Sequence, residues 1–165
     1  MKSLFSKLLL SVCLLSASLT SATDLSITAA NVTPSGNAVI RDGIAGAAIT
    51  AGQPLYRDPT DSYKLKLADA NSATAAVRTM CGIAINSAST GTRVNYVVSD
   101  PALVIGATVA NGTVYVLSAT AGGIAPLADL TSGWYAFVIG VGNSTTTIAF
   151  RADLVNPMRS TTVMP

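Results

Sequence analysis

The feature that most constrains this chain is a likeness to itself at an offset of sixty residues. Gly46, Ala47, Gly52, Leu67, Ala68 and Asp69 recur as Gly106, Ala107, Gly112, Leu127, Ala128 and Asp129, with Ile49 answered by Val109. The register then slips as loops shorten, yet the end of the unit returns. Gly82-Ile83-Ala84 stands against Gly140-Val141-Gly142, Asn86-Ser87 against Asn143-Ser144, and Tyr96 with Asp100 against Phe150 with Asp153. A fixed offset over so long a span predicts two tandem copies of one small unit, a first repeat over 41–100 and a second over 101–153.

The local pattern within each copy is that of β-structure. In the first, Gln53 to Arg57 reads as a strand, Asp58-Pro59-Thr60-Asp61 as a turn, and Tyr63-Lys64-Leu65-Lys66-Leu67 as a strand whose alternation sends Tyr63, Leu65 and Leu67 inward and both lysines outward. The Ala-rich segment Asp69 to Val77 predicts a short helix with Asp69 as its N-cap. Met80 to Ile85 and Thr92 to Val98 complete the unit, with a loop over Ala88 to Gly91. The second copy follows with Thr113 to Leu117, an Ala121-Gly122-Gly123 turn, Ile124 to Leu127, Trp134 to Val141 and Thr147 to Ala152, its helix cut to Asp129 through Ser132. Ahead of both lies an arm, 23–40, with Leu25, Ile27, Ala29 and Val32 on one face, a turn at Pro34-Ser35-Gly36-Asn37, and a short strand from Val39 to Asp42. The tail, 154–165, has no clear period. The expected fold is therefore all-β: two tandem related small β-barrel or sandwich-like units, preceded by an N-terminal apolar helical segment. At 165 residues they form one domain, or two very small ones sharing a core.

Two readings of residues 1–22 stand side by side. Lys2 and Lys7 before the apolar run Leu8 to Leu15, and Thr20-Ser21-Ala22 at its end, describe a secretory signal cleaved after Ala22, so that membrane contact would be transient. Leu4, Leu8, Val12, Leu15 and Leu19 also recur at three-to-four spacing, as in a retained helix that packs on other copies.

Composition removes several classes of chemistry. The chain has no His, and so lacks the commonest general base and metal ligand. Its acids are all Asp, and beyond Lys2 and Lys7 the eight remaining bases balance the eight acids, leaving no basic stripe for nucleic acid. Of the two cysteines, Cys13 lies in the apolar start, and Cys81 reads as a small buried hydrophobe rather than a nucleophile. Asp58 and Asp61 lack the further ligands of a calcium loop and mark a plain turn. Asp69 and Asp129 occupy matching places in a repeat, which argues for a shared structural duty on backbone amides rather than paired catalytic carboxylates. Gly46, Gly52, Gly106 and Gly112 match no phosphate or dinucleotide fingerprint and mark turns. Asn31, Asn111 and Asn143 begin glycosylation triplets, a pattern with meaning only on a eukaryotic secretory route. Trp134 and Tyr135 are expected to pack in the second core or to face an interface. No catalytic, cofactor-binding or metal-binding residue emerges, and the chain is read as no enzyme. Half of its residues are hydrophobic while 11% are charged, a balance suited to β-surfaces that pack on other proteins.

Some of these segments resemble a known family. Ala51-Gly52-Gln53-Pro54-Leu55-Tyr56, the Ala-rich stretch, Gly82-Ile83-Ala84-Ile85, a small-residue loop ending in Gly91, and Val94-Asn95-Tyr96-Val97 resemble the head decoration or capsid cement proteins of tailed bacteriophages. The likeness covers Arg41 to Asp100 and, more loosely, the second copy to Asp153; the signal-like start departs from it. It implies a protein without cofactor that docks on a virion capsid lattice, with the major capsid protein or other virion proteins as partners and self-association into a homo-oligomer. Arms at 1–40 and 154–165 would then add contact area across subunits. An exported surface or periplasmic binding module and a tail- or fibre-associated virion protein are the alternative readings.

Overall fold

A computed structural model describes residues 23–152 of the chain. The segment read as a signal or retained helix, 1–22, and the tail from Leu154 lie outside the described residues. What is described is mostly β: ten strands make a single curled antiparallel sheet, half of a barrel. These are β1 (Val32–Thr33), β2 (Val39–Ile44), β3 (Pro54–Asp58), β4 (Lys64–Leu67), β5 (Gly82–Ala84), β6 (Arg93–Ile105), β7 (Val114–Leu117), β8 (Ile124–Pro126), β9 (Val138–Gly142) and β10 (Thr147–Arg151). The sheet runs β4-β3-β5-β6-β10-β9-β7-β8, with β1 and β2 also paired to β6.

The thirteen-residue β6 is the axis of this arrangement. It does not stop at Asp100, where the two copies were expected to part, but passes through to Ile105. Its first half pairs with β2 and β5, its second with β1 and β10. Between Phe150↔Asp100 and Ile148↔Leu103 the strand carries one more residue than its partner β10, a bulge at Pro101 and Ala102. Pro101 is tolerated there because a bulged position does not need its missing N–H. Before the bulge Val94, Tyr96, Val97 and Asp100 are buried; after it Leu103 and Ile105 are.

Two apolar clusters result. The smaller joins Ala45, Ile49, Leu55, Leu65, Ala84, Val94 and Tyr96. It is closed where β2 reaches β4: Ala45 bridges Leu65, and the Gly46 N–H donates to the Leu65 carbonyl at 2.8 Å. The larger cluster draws on both halves of the chain, with Tyr56, Met80, Ile83 and Val97 packed among Leu103, Tyr115, Leu117, Ile124, Ile139, Ile148 and Phe150. The far ends of the sheet also touch, since Ala70 donates to the Ser118 carbonyl at 2.9 Å and Gly122 to that of Ala68 at 2.7 Å.

The arm lies on the chain's own sheet over 23–33. Leu25 donates to the Ile124 carbonyl at 2.7 Å and Thr28 to that of Gly106 at 2.8 Å, while Leu25 and Ile27 pack on the larger cluster. Two glycines admit it. A Cβ on Gly52 would stand 2.5 Å from Ile27 Cγ2 and one on Gly106 2.5 Å from the Thr28 carbonyl, and both residues have positive φ.

Four local expectations fail. The segment Asp69 to Val77 is a string of turns, not a helix. Asp69 Oδ1 accepts from the Asn71 N–H and Ser72 Oγ from the Thr74 N–H, so side chains take amides that a helix would use. In the second copy, Asp129 ends a short 3-10 turn, Leu127–Asp129, that stops before Ser132. Tyr63 does not point inward: it belongs to the wide Asp58 to Tyr63 turn, where Ser62 and Tyr63 adopt positive φ of 52° and 56°, and it is 63% exposed. Trp134 to Phe137 are outside any strand, which begins at Val138; Trp134 is half-buried and Tyr135 exposed.

Candidate protein-contact surface

The residues that could carry chemistry are scattered over the sheet. Asp58 and Asp61 converge on one ammonium: Lys66 Nζ lies 2.8 Å from Asp58 Oδ2 and 3.0 Å from Asp61 Oδ2, and Lys64 Nζ lies 2.8 Å from Asp61 Oδ1. Asp58 Oδ1 also accepts from the N–H and hydroxyl of Thr60. Lys66, helped by Thr60, holds the Asp58 carboxyl below the usual carboxylate range; Lys64 and then Lys66 do the same for Asp61, and Asp58 with Asp61 raises Lys66. The group is a self-neutralised hairpin tip with Tyr63 beside it.

Asp69 and Asp129 do not meet. Asp69 accepts from Asn71 within its own turn, and Asp129 from the Thr23 N–H at 3.1 Å. Cys81 is pushed up to about 11 by burial, with Arg57 acting weakly the other way, so its thiol stays protonated near neutrality. Arg57 itself bonds the Tyr96 hydroxyl, which holds its charge firmly. Arg78 stacks on Tyr135, 3.6 Å from the ring centre, so the exposed tyrosine is covered by a cation rather than by core. Of the triplet asparagines, Asn143 donates its amide to the Pro101 carbonyl at 2.8 Å and accepts from the Thr147 hydroxyl. Among the described residues no group of three metal-ligating side chains forms.

What the sequence did not single out is a shallow apolar groove over the bulge. It encloses about 470 Å³ and is lined by Ser99, Pro101, Val138, Val141, Ala149 and Arg151 among others. Its floor is fixed by Asp100, fully buried, whose carboxylate accepts from the Ser35 N–H at 2.7 Å, from the Ser35 hydroxyl, and from the Ala102 N–H at 2.9 Å. The last of these satisfies an amide at the bulge. Two of the lining side chains, Val138 and Val141, are 38% and 40% exposed. Scattered surface valines need no explanation, but an apolar groove with exposed side chains in its wall is the form a protein contact takes. The pairing that brings β9 alongside β10, and β10 alongside β6, left no signal in the sequence.

No protein-family model matches the chain, and no curated protein matches it.

Proposed function

We propose that the chain is a non-enzymatic structural protein built from two copies of one β unit, and that it works as a head decoration protein on a tailed-phage capsid. Strand order supports the duplication. The first half runs β4-β3-β5-β6-β2 and the second β8-β7-β9-β10-β6, with Pro54↔Ile83 and Leu55↔Gly82 repeated as Val114↔Val141 and Tyr115↔Gly140. Core residues follow the same correspondence: Ala45, Ile49, Leu55 and Tyr96 of the small cluster answer to Ile105, Val109, Tyr115 and Phe150 of the large one. On this reading β6 closes the first copy and opens the second.

The segments that carry the resemblance are neighbours in the sheet, Pro54 pairing with Ile83 and Ile83 with Val97, so they describe one continuous element rather than dispersed matches. The observation that carries the functional reading is the pair of exposed apolar side chains, Val138 and Val141, in the lining of the groove. Such a patch gives each copy a modest contact, and repetition on a symmetric lattice multiplies it. An exported β-domain is the second reading, favoured by the bond from the Thr23 N–H to Asp129.

The test is binding of the full chain to purified capsids of the phage that encodes it. Stoichiometric, saturable cosedimentation is expected, and its loss in Val138→Asp and Val141→Asp variants of unchanged Tm. Failure of the unaltered chain to bind those capsids sinks the reading.

A further inference from the structure

We propose that the open edge of β2, from Val39 to Gly43, is a seat for an extended acidic segment of another protein, which adds there as an antiparallel strand. Among the described residues β2 pairs with β6 on one side only. The Ala45 N–H donates to the Thr92 carbonyl at 2.9 Å, and this sets the alternation: Gly43 and Arg41 turn their backbone groups to β6, Asp42 and Ile40 turn theirs outward. No described strand meets those outward groups, and the edge closes only beyond them, at the bridge from Ala45 to Leu65. Along the open stretch Val39 and Ile40 are 50% and 48% exposed. An unpaired apolar edge is a template for one more strand.

The second half of the chain shows what covers such an edge, an argument that rests on the duplication proposed above. Arg41↔Tyr96, Gly43↔Val94 and Ile44↔Arg93 correspond to Asp100↔Phe150, Leu103↔Ile148 and Val104↔Thr147. On the far side of that second stretch lies the chain's own arm, with Thr33 paired to Val104, Val32 to Ile105, and Ser35 donating to the Asp100 carboxylate. The first half has no arm in that place. There the counterpart of Asp100 is a cation, Arg41, exposed and in no salt bridge among the described residues. Where the arm offers a hydroxyl to an acid, the missing strand must offer a carboxylate to a guanidinium. A second copy of β2 does not supply it. Paired about the centre of the open stretch, it would set two Arg41 side chains opposite each other, and Asp42 is already held by Arg93 at 3.0 Å.

The test is NMR titration of the full chain with two blocked synthetic peptides of the arm sequence 28–35, one carrying Ser35→Asp and the other Ser35→Lys. Saturable shifts at the Ile40 and Asp42 amides are expected, with the acidic peptide binding about two- to fivefold more tightly, the range of an exposed ion pair. Arg41→Glu, of unchanged Tm, is expected to reverse that preference. Shifts confined to other residues overturn the seat, and equal binding of the two peptides overturns the acidic occupant. Concentration-dependent shifts at Ile40 and Asp42 without peptide overturn it in favour of a second copy. No capsid enters this experiment, so a failure of the chain to bind capsids leaves its outcome unchanged.

Discussion

Ser35 grips Asp100 with both its backbone N–H and its hydroxyl, tying the turn between β1 and β2 to the centre of β6, sixty-five residues away. With the Ala102 N–H as a third donor, a fully buried carboxylate is held by hydrogen bonds, with no cation beside it among the described residues, and ties down the bulge. Asp100→Ala leaves these donors without their acceptor. A loss of about 2–3 kcal/mol is expected, read as a lower urea midpoint, because unmade buried bonds to a charged group cost more than neutral ones. Ser35→Ala should cost less, since its backbone N–H still donates.

Gly106 is expected to be the less replaceable of two left-handed glycines. Gly106 and Gly112 have φ of 74° and 77°, but a Cβ on Gly106 meets the Thr28 carbonyl at 2.5 Å while one on Gly112 meets open space. Gly112→Ala should cost about 1 kcal/mol from backbone conformation alone. Gly106→Ala should cost more, the excess measuring how firmly the arm is seated. Thermal unfolding of the two variants side by side checks the difference, and equal losses refute the docking of the arm.

Acid should weaken the hairpin tip. The folded-state pKa values of Asp58 and Asp61 are depressed, so their contribution is present above the unfolded value of about 3.9 and is lost as pH falls through the folded values. Lys66 is raised, so its contribution is full below about 10.4 and fades as pH climbs through its folded value. Lys66→Met is therefore expected to flatten both limbs of the stability profile. Denaturant midpoints across the pH range, compared between the two proteins, provide the measurement.

Cys81 should resist alkylation in the native protein. With its pKa pushed up to about 11 by burial, the thiolate that reacts is scarce at pH 8. Iodoacetamide is expected to modify it far more slowly in buffer than in denaturant, and equal rates would refute the burial.

Turn chemistry and strand position were largely readable from local residues. Gly52, Gly112 and Gly122 mark turns where the φ values are positive, and the strands near Pro54, Gly82, Val114 and Thr147 begin within two residues of their expected starts. These features depend on backbone sterics and period-two patterning, which act over a few residues. The errors arose where another group, near or distant, competed for an amide. Tyr63 alternates correctly with Leu65 but sits in a turn held by the Asp58 carbonyl, and the Ala-rich stretch after Asp69 spends its amides on Ser118 and on side chains.

By itself, then, the sequence determined β-structure, the places where the chain reverses, and the sixty-residue recurrence, because each is written in residue types at short or regular spacing. Only the tertiary structure decided that β6 runs unbroken past Asp100, that Ser35 satisfies that buried carboxylate, and that Val138 and Val141 line one groove with Pro101. Those outcomes rest on pairing between segments far apart in the chain. Such pairing is selected by the burial and hydrogen bonding of the whole sheet, and no short window of residues encodes it.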